Sequence, residues 1–230
     1  MPSVKNSLIS WIVGLLCLVF SLQAFPDGRS DAIELVNGAE ATFHDFVSDP
    51  NMGWFRDNVG EAKALVIVPQ LLKAGFIFGA SGGNGVVMVK DKATESWSNP
   101  AFYSVGSVTW GLQIGGEVAE VIMLVMTEGG MNSLLSTKLQ LGGDASIAAG
   151  PVGAGAQAAT VDILQFTRTK GIYGGLTLEG AVITPRDDLT GAFYGRIVDP
   201  VDVLIRQRVT SKQADRLRDL VYRTTASKRP

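Results

Sequence analysis

From Ala64 to Ile183 the chain is a succession of short apolar runs cut by glycine, and this punctuation constrains the fold more than any other feature. Leu65-Val66-Ile67-Val68 stops at Pro69, and Phe76-Ile77-Phe78 and Val86-Val87-Met88-Val89 follow. Val121 to Met126, Leu139 to Ile147, Val161 to Phe166 and Leu176 to Ile183 come later. Such runs, bounded by Gly, Asn, Ser or Pro, read as strands. Parallel pairing needs a crossover helix between strands, and these gaps are too short and too rich in glycine to hold one. A mainly antiparallel, curved sheet or barrel-like core is therefore expected. Helical spacing brackets it. Between Ser30 and Val47, Val36, Ala39, Phe43 and Phe46 recur at three and four, with Asp31 and Glu34 in the first turn, where the helix dipole favours acids. Glu128 to Thr137 reads as a helix inside the β region, and Val201 to Val209 and Ser211 to Tyr222 as helices of the tail. The class is α+β, with helices at the N- and C-terminal ends.

Length and alphabet narrow the chemistry. At 230 residues and 46% hydrophobic content the chain has enough apolar material for one ordinary domain. It holds one histidine, His44, and one cysteine, Cys17, so neither a Cys/His metal cluster nor a disulfide framework can be assembled. No cofactor, metal or catalytic residue is expected. A net charge of −2 argues against a nucleic-acid binder, which carries a basic excess. Lys5, the apolar run Leu8 to Phe20 and the small residue Ala24 have the layout of a secretory signal peptide over residues 1–24. An uncleaved anchor is the alternative. The mature chain would then be residues 25–230, exported to the periplasm or cell envelope, with an N-terminal helical segment (25–60), a β-rich core (61–195) and a tail (196–230).

Charge divides the mature chain unevenly. Residues 25–195 carry 10 basic and 18 acidic side chains, whereas residues 196–230 carry 9 basic and 4 acidic. A basic tail on an acidic body points to an anionic partner. Within the body, Lys63, Lys73, Lys90, Lys92, Arg168 and Lys170 are scarce cations, several at predicted strand ends. They are either scattered solubilising charge or a shared rim for anionic headgroups, each worth ~1 kcal/mol near an anionic membrane. Gly79 to Gly85 lacks the Lys-Ser/Thr ending of a phosphate loop, and Asn84-Gly85 marks it as a hairpin loop. Asp187-Asp188, and Glu117 with Glu120, are read as solvated neighbours without a nucleophile beside them.

Several blocks in order resemble the SYLF domain. Ala62-Lys63-Ala64 runs into Ile67-Val68-Pro69, and Lys73-Ala74-Gly75-Phe76 leads to the glycine-rich stretch ending at Gly85. Trp97-Ser98-Asn99-Pro100-Ala101-Phe102-Tyr103, Gly111-Leu112-Gln113-Ile114-Gly115-Gly116 and Gly143-Asp144-Ala145-Ser146 to Gly153 follow. Thr167-Arg168-Thr169-Lys170-Gly171 and Leu178-Glu179-Gly180 complete the set, which ends near Tyr194-Gly195. The resemblance implies a non-enzymatic lipid-binding module. Its eukaryotic members bind phosphoinositides, and fungal members also bind actin filaments. The chain is similar to secreted, single-domain members of the envelope, for which actin is out of reach. Lys63, Lys73, Arg168 and Lys170 fall in matched blocks and are the expected headgroup contacts. Arg216, Arg218 and Arg223 of the tail are expected to add attraction to a membrane surface. An envelope protein that takes up the basic tail is the competing partner.

Overall fold

The computed structural model describes residues 28–75, 78–110, 115–152, 160–169, 172–173 and 178–226. Four long strands form its centre: β1 (Ala64–Gly75), β2 (Phe78–Val89), β3 (Ala101–Trp110) and β4 (Gly115–Val125). Five short ones extend it: β5 (Leu139–Gln140), β6 (Ile147–Ala149), β7 (Ile163–Thr169), β8 (Ile172–Tyr173) and β9 (Val182–Pro185). The order is β5-β9-β3-β2-β1-β4-β7-β6, with β8 also pairing β7, and the sheet curls into a half-barrel. Every ladder is antiparallel except β6–β7. The expected α+β class, with a curved sheet between terminal helices, is the observed one.

Strand periodicity divides the core into two layers. Leu65, Ile67, Val86, Met88, Phe102, Ile122 and Leu124 point to one side, where α1 (Gly28–Ser48), α2 (Gly53–Asn58) and α6 (Asp215–Ala226) cover them. Ala64, Val66, Val68, Val87, Tyr103, Val121 and Met123 point to the other, against α3 (Glu128–Leu134) and α5 (Pro200–Leu204). A strand buried on both faces has no polar alternation, which is why Leu65 to Val68 reads as one apolar run. Phe43 and Phe46 of α1 converge on Phe55, which meets Phe166 of β7 edge-on at 5.1 Å. Each such ring stabilises the fold by about 1.5–3 kcal/mol through burial.

Several boundaries differ from expectation. Gly79 to Gly85 is not a hairpin loop. It lies inside β2, paired with β1 on one side and β3 on the other. The cause is the bulge in β1 at Pro69-Gln70, where the register shifts against both neighbours. Carbonyl oxygens of Gln70 and Ile67 press on β2 there: a Cβ at Gly83 would lie 2.4 Å from the first, and one at Gly85 2.6 Å from the second. Close approach, not a turn, requires glycine at these two positions. The stretch from Leu139 to Ile147 breaks into β5, a turn and β6, and the helix expected to reach Val209 ends at Leu204. Helix α4 (Asp187–Tyr194) was not anticipated; Asp187 and Asp188 form its first turn, and Gly195 closes it at φ 67°. The signal-like segment, residues 1–24, lies outside the described residues.

Candidate functional site

The cations expected to hold a headgroup are not brought together. Lys63 precedes β1 and Lys73 stands near its far end, roughly 30 Å away at ~3.3 Å per strand residue. Lys63 Nζ lies 3.0 Å from Glu128 Oε1, which also takes Lys92 Nζ at 2.9 Å. Those two ammonium groups, Lys92 foremost, hold the Glu128 carboxyl below its usual range. Lys73 pairs across the ladders with Ser81 and Glu117 and makes no ion pair among the described residues. Lys170 lies outside the described residues. Of the expected rim, Lys63, Lys90 and Lys92 lie together at one end of the sheet, and Lys73 and Arg168 stand apart from them.

Arg168 is committed to the fold. Its guanidinium binds Glu120 of β4, donates to Asp45 Oδ2 of α1 at 2.7 Å, and stacks over Phe46 at 5.6 Å. Only 16% of its side chain is exposed. The same guanidinium holds the Asp45 carboxyl below its ordinary value. Thr42 completes the contact by donating to Glu120 Oε1 at 3.2 Å. This cluster ties α1 to the sheet, so a substitution at Arg168 reports on folding before it reports on any ligand.

The tail arginines divide by role. Arg218 turns inward, donating through Nε to the Trp97 carbonyl at 3.3 Å. Arg216 and Arg223 project outward with 82% and 80% of their side chains exposed. Their acid partners are Glu40 at 3.0 Å and Asp219 at 3.9 Å. They flank an open groove of about 610 Å³ between α1 and α6, which His44, Asn37 and Leu220 also line. Buried Leu217 and Val221 anchor α6, and Trp97 Nε1 donates to Thr225 at 3.1 Å.

Most carboxylates of the β region have structural work. Asp162 accepts hydrogen bonds from Thr127 and from the Ser146 hydroxyl and amide, and these, Thr127 first, depress its pKa. Asp144 accepts from the Gln140 amide at 2.7 Å. Arg186, a residue sequence reasoning passed over, makes two hydrogen bonds to Asp188 at 2.8 and 2.6 Å and one to Asn84 at 3.1 Å. Among the described residues no three metal-ligating side chains are grouped, and no helix is long and apolar enough to cross a membrane.

One surface has no charge in it. The ends of β1–β4 remote from Lys63 run past α1, and on the α1 side they expose Leu72, Val108 and Val118 at 55%, 77% and 47%. The sequence signal for this surface is two stretches, residues 74–89 and 96–116, without a single Asp, Glu, Lys or Arg.

A family model described as Ysc84: Las17-binding protein actin regulator matches residues 106–224, from β3 through almost all of α6. The chain belongs to the Ysc84 family. This is the SYLF family that the sequence blocks resemble, and its match continues past Gly195 into the basic tail. A Schizosaccharomyces pombe SH3 domain-containing protein, PJ696.02, is 32% identical over 176 residues, covering 73% of this chain and 39% of its own. LAS seventeen-binding protein 3 of Saccharomyces cerevisiae is 30% identical over 147 residues, 60% of this chain and 32% of that one. The human SH3 domain-containing YSC84-like protein 1 is 25% identical over 169 residues, 71% and 49% respectively. The chain thus spans less than half the length of these relatives. No solved structure matches it.

Proposed function

We propose that this Ysc84-family chain is a non-enzymatic module that binds anionic phospholipid at a membrane surface. The observation that carries the reading is the outward presentation of Arg216 and Arg223 on α6, four-fifths exposed and paired with half-buried Glu40 and exposed Asp219. An ion pair exposed at both ends is worth about 0–1 kcal/mol, so Arg223 exchanges Asp219 for a lipid phosphate at little cost, and Arg216 presents its own exposed guanidinium beside it. Each gains ~1 kcal/mol near an anionic surface. Lys212 is exposed on the turn that leads into α6 and adds to the same field. Flotation of the full chain with vesicles of graded phosphatidylserine content tests the reading, beside an Arg216→Glu/Arg223→Glu variant. Binding should rise with the anionic share and fall in the variant. No binding at any composition would overturn it. The exported, envelope setting belongs to the same proposal and rests on the signal-like sequence of residues 1–24. N-terminal sequencing of the chain recovered from an exporting host tests that part, with Phe25 as the expected first residue.

The family description, an actin regulator that binds Las17, favours a second reading, a protein-interaction module. The groove between α1 and α6, with acids and arginines along its walls, is where a peptide of mixed charge would lie. Co-sedimentation with actin filaments in the absence of vesicles separates the two.

A further inference from the structure

At the end of the sheet remote from Lys63, one face carries no charged side chain. Cross-strand register lays two adjacent rows on its α1-side face. One row crosses Val118, Leu72, Gly82 and Gly106, and the next crosses Gly116, Ala74, Ala80 and Val108. The row between them, Glu117, Lys73, Ser81 and Ser107, points to the opposite face, where the two serine hydroxyls are 2.7 Å apart. This part of the sheet is therefore two-faced, apolar on one side and polar on the other, and among the described residues no helix covers its apolar side.

The glycines of the apolar face are not required by the chain itself. A Cβ at Gly82, Gly106 or Gly116 would meet nothing closer than 3.7 Å, and none of the three has a positive φ. Glycine inside a strand weakens it unless something must approach the backbone closely. Gly83 and Gly85, by contrast, are dictated by the β1 bulge from within. What keeps the apolar face flat lies outside the described fold.

A second copy is a poor occupant. Two rows across four strands cover roughly 250 Å² at strand spacings of ~4.8 Å and ~3.3 Å per residue, whereas a stable protein partner buries about 800 Å² per side. Nor does the face offer the charged or hydrogen-bonding rim that fixes a protein partner's register. The segments that follow β1 and β3 are Phe76-Ile77 and Gly111-Leu112-Gln113-Ile114 in the sequence, so the uncharged character continues along the chain at both. A water-facing surface normally carries charge on about a quarter or more of its residues. A lipid acyl layer is the environment that selects against charge over one face of a sheet and asks for no matched shape.

We propose that the apolar face formed by Leu72, Ala74, Ala80, Val108 and Val118 enters the acyl layer of the bilayer, a second contact in addition to the headgroup contact of α6. The inference rests on the membrane-binding reading and adds where the protein enters the lipid. Insertion is shallow. Among the described residues, β3 has no partner on its outer edge beyond Gly106 and β4 has none before Ala119. Such edges are excluded from hydrocarbon but tolerated in the interfacial layer, about 5–10 Å deep.

The test places an environment-sensitive NBD fluorophore at Val108→Cys in the full chain carrying Cys17→Ser, with a control label at Ala93→Cys, in the turn at the other end of β2. Vesicles contain phosphatidylserine, with nitroxide-labelled lipid quenching either near the headgroup or deep in the acyl chain. The Val108 label should shift to the blue and be quenched by the shallow nitroxide, while the Ala93 label stays unchanged. A Leu72→Asp/Val108→Asp variant should lose about tenfold in apparent affinity and keep a salt-sensitive remainder. Flotation with an unmoved Val108 label would overturn the insertion and leave the headgroup reading standing. Absence of flotation would overturn both. A shift without vesicles that grows with protein concentration would assign the face to a second copy, and one independent of concentration would assign it to the chain's own N-terminal apolar run.

Discussion

Arg168 sits where three demands meet: it neutralises Glu120 and Asp45, covers the Phe46 ring, and fixes α1 to the sheet. Arg168→Met keeps the packing stem and removes the charge, leaving two carboxylates facing each other. A loss of about 2 kcal/mol is expected at neutral pH, read as a shift of the urea midpoint. Because Arg168 depresses the Asp45 pKa, this stabilisation is complete above the ordinary carboxylate value and is lost as pH falls through the lowered one. The gap between parent and variant should narrow in acid. Asp188 behaves alike: Arg186 lowers its pKa from 3.8 to about 2, so its contribution disappears as pH falls between those values. Since Asp188 is exposed, Asp188→Asn should cost only a few tenths of a kcal/mol. Neighbouring glycines give a sharper contrast. Gly83→Ala drives a Cβ into the Gln70 carbonyl and should cost about 2–3 kcal/mol, whereas Gly82→Ala meets open space and should be neutral or stabilising by about 0.5–1 kcal/mol. Equal melting temperatures for the two variants would refute the bulge argument. None of this was legible in the run from Gly79 to Gly85, since the partner that makes glycine necessary is a bulge on another strand.

At the scale of elements, α6 shows how a basic helix is held chiefly by its apolar side, with Arg218 turned inward to the Trp97 carbonyl. Leu217 and Val221 are buried and Trp97 reaches it through Thr225, while Arg216 and Arg223 stay outside. Leu217→Ala should therefore destabilise the protein by about 3 kcal/mol, measured by thermal unfolding. Arg216→Glu should leave the melting temperature nearly unchanged. A stability loss in the arginine variant comparable to that in the leucine variant would mean that its pair with half-buried Glu40 is structural. The terminal helices were legible because their apolar residues repeat at three and four. Helix α4 was not, because its two turns are too short to show a period and Asp187-Asp188 reads equally as a solvated loop. Strand β3 was hidden for another reason: from Ser104 to Ser107 a single strand former, Val105, stands among two serines and Gly106, which disfavours strands.

For the whole molecule, the proposed membrane contact combines a salt-sensitive part and an apolar part at separate places. Raising salt from about 0.1 M to 1 M shortens the screening length from roughly 10 Å to 3 Å. Vesicle binding should weaken several-fold over that range without vanishing, and complete insensitivity would remove the role given to α6. Sequence by itself determined that the chain folds as a mainly antiparallel sheet between helices, that one His and one Cys are too few for a Cys/His metal cluster or a disulfide, and that its basic charge gathers in the tail. These follow from local periodicity and composition, which a linear reading can count. Only the tertiary structure decided which cations are available. Lys63 is tied to Glu128, Arg168 to Asp45 and Glu120, and Lys73 lies at the other end of β1 from Lys63 and on the opposite face of the sheet from Arg168. It likewise decided that the uncharged residues of β1–β4 gather on one uncovered face. Both outcomes depend on pairing between strands and helices distant in sequence, and the free energy of an ion pair or an apolar face is set by what lies across the contact.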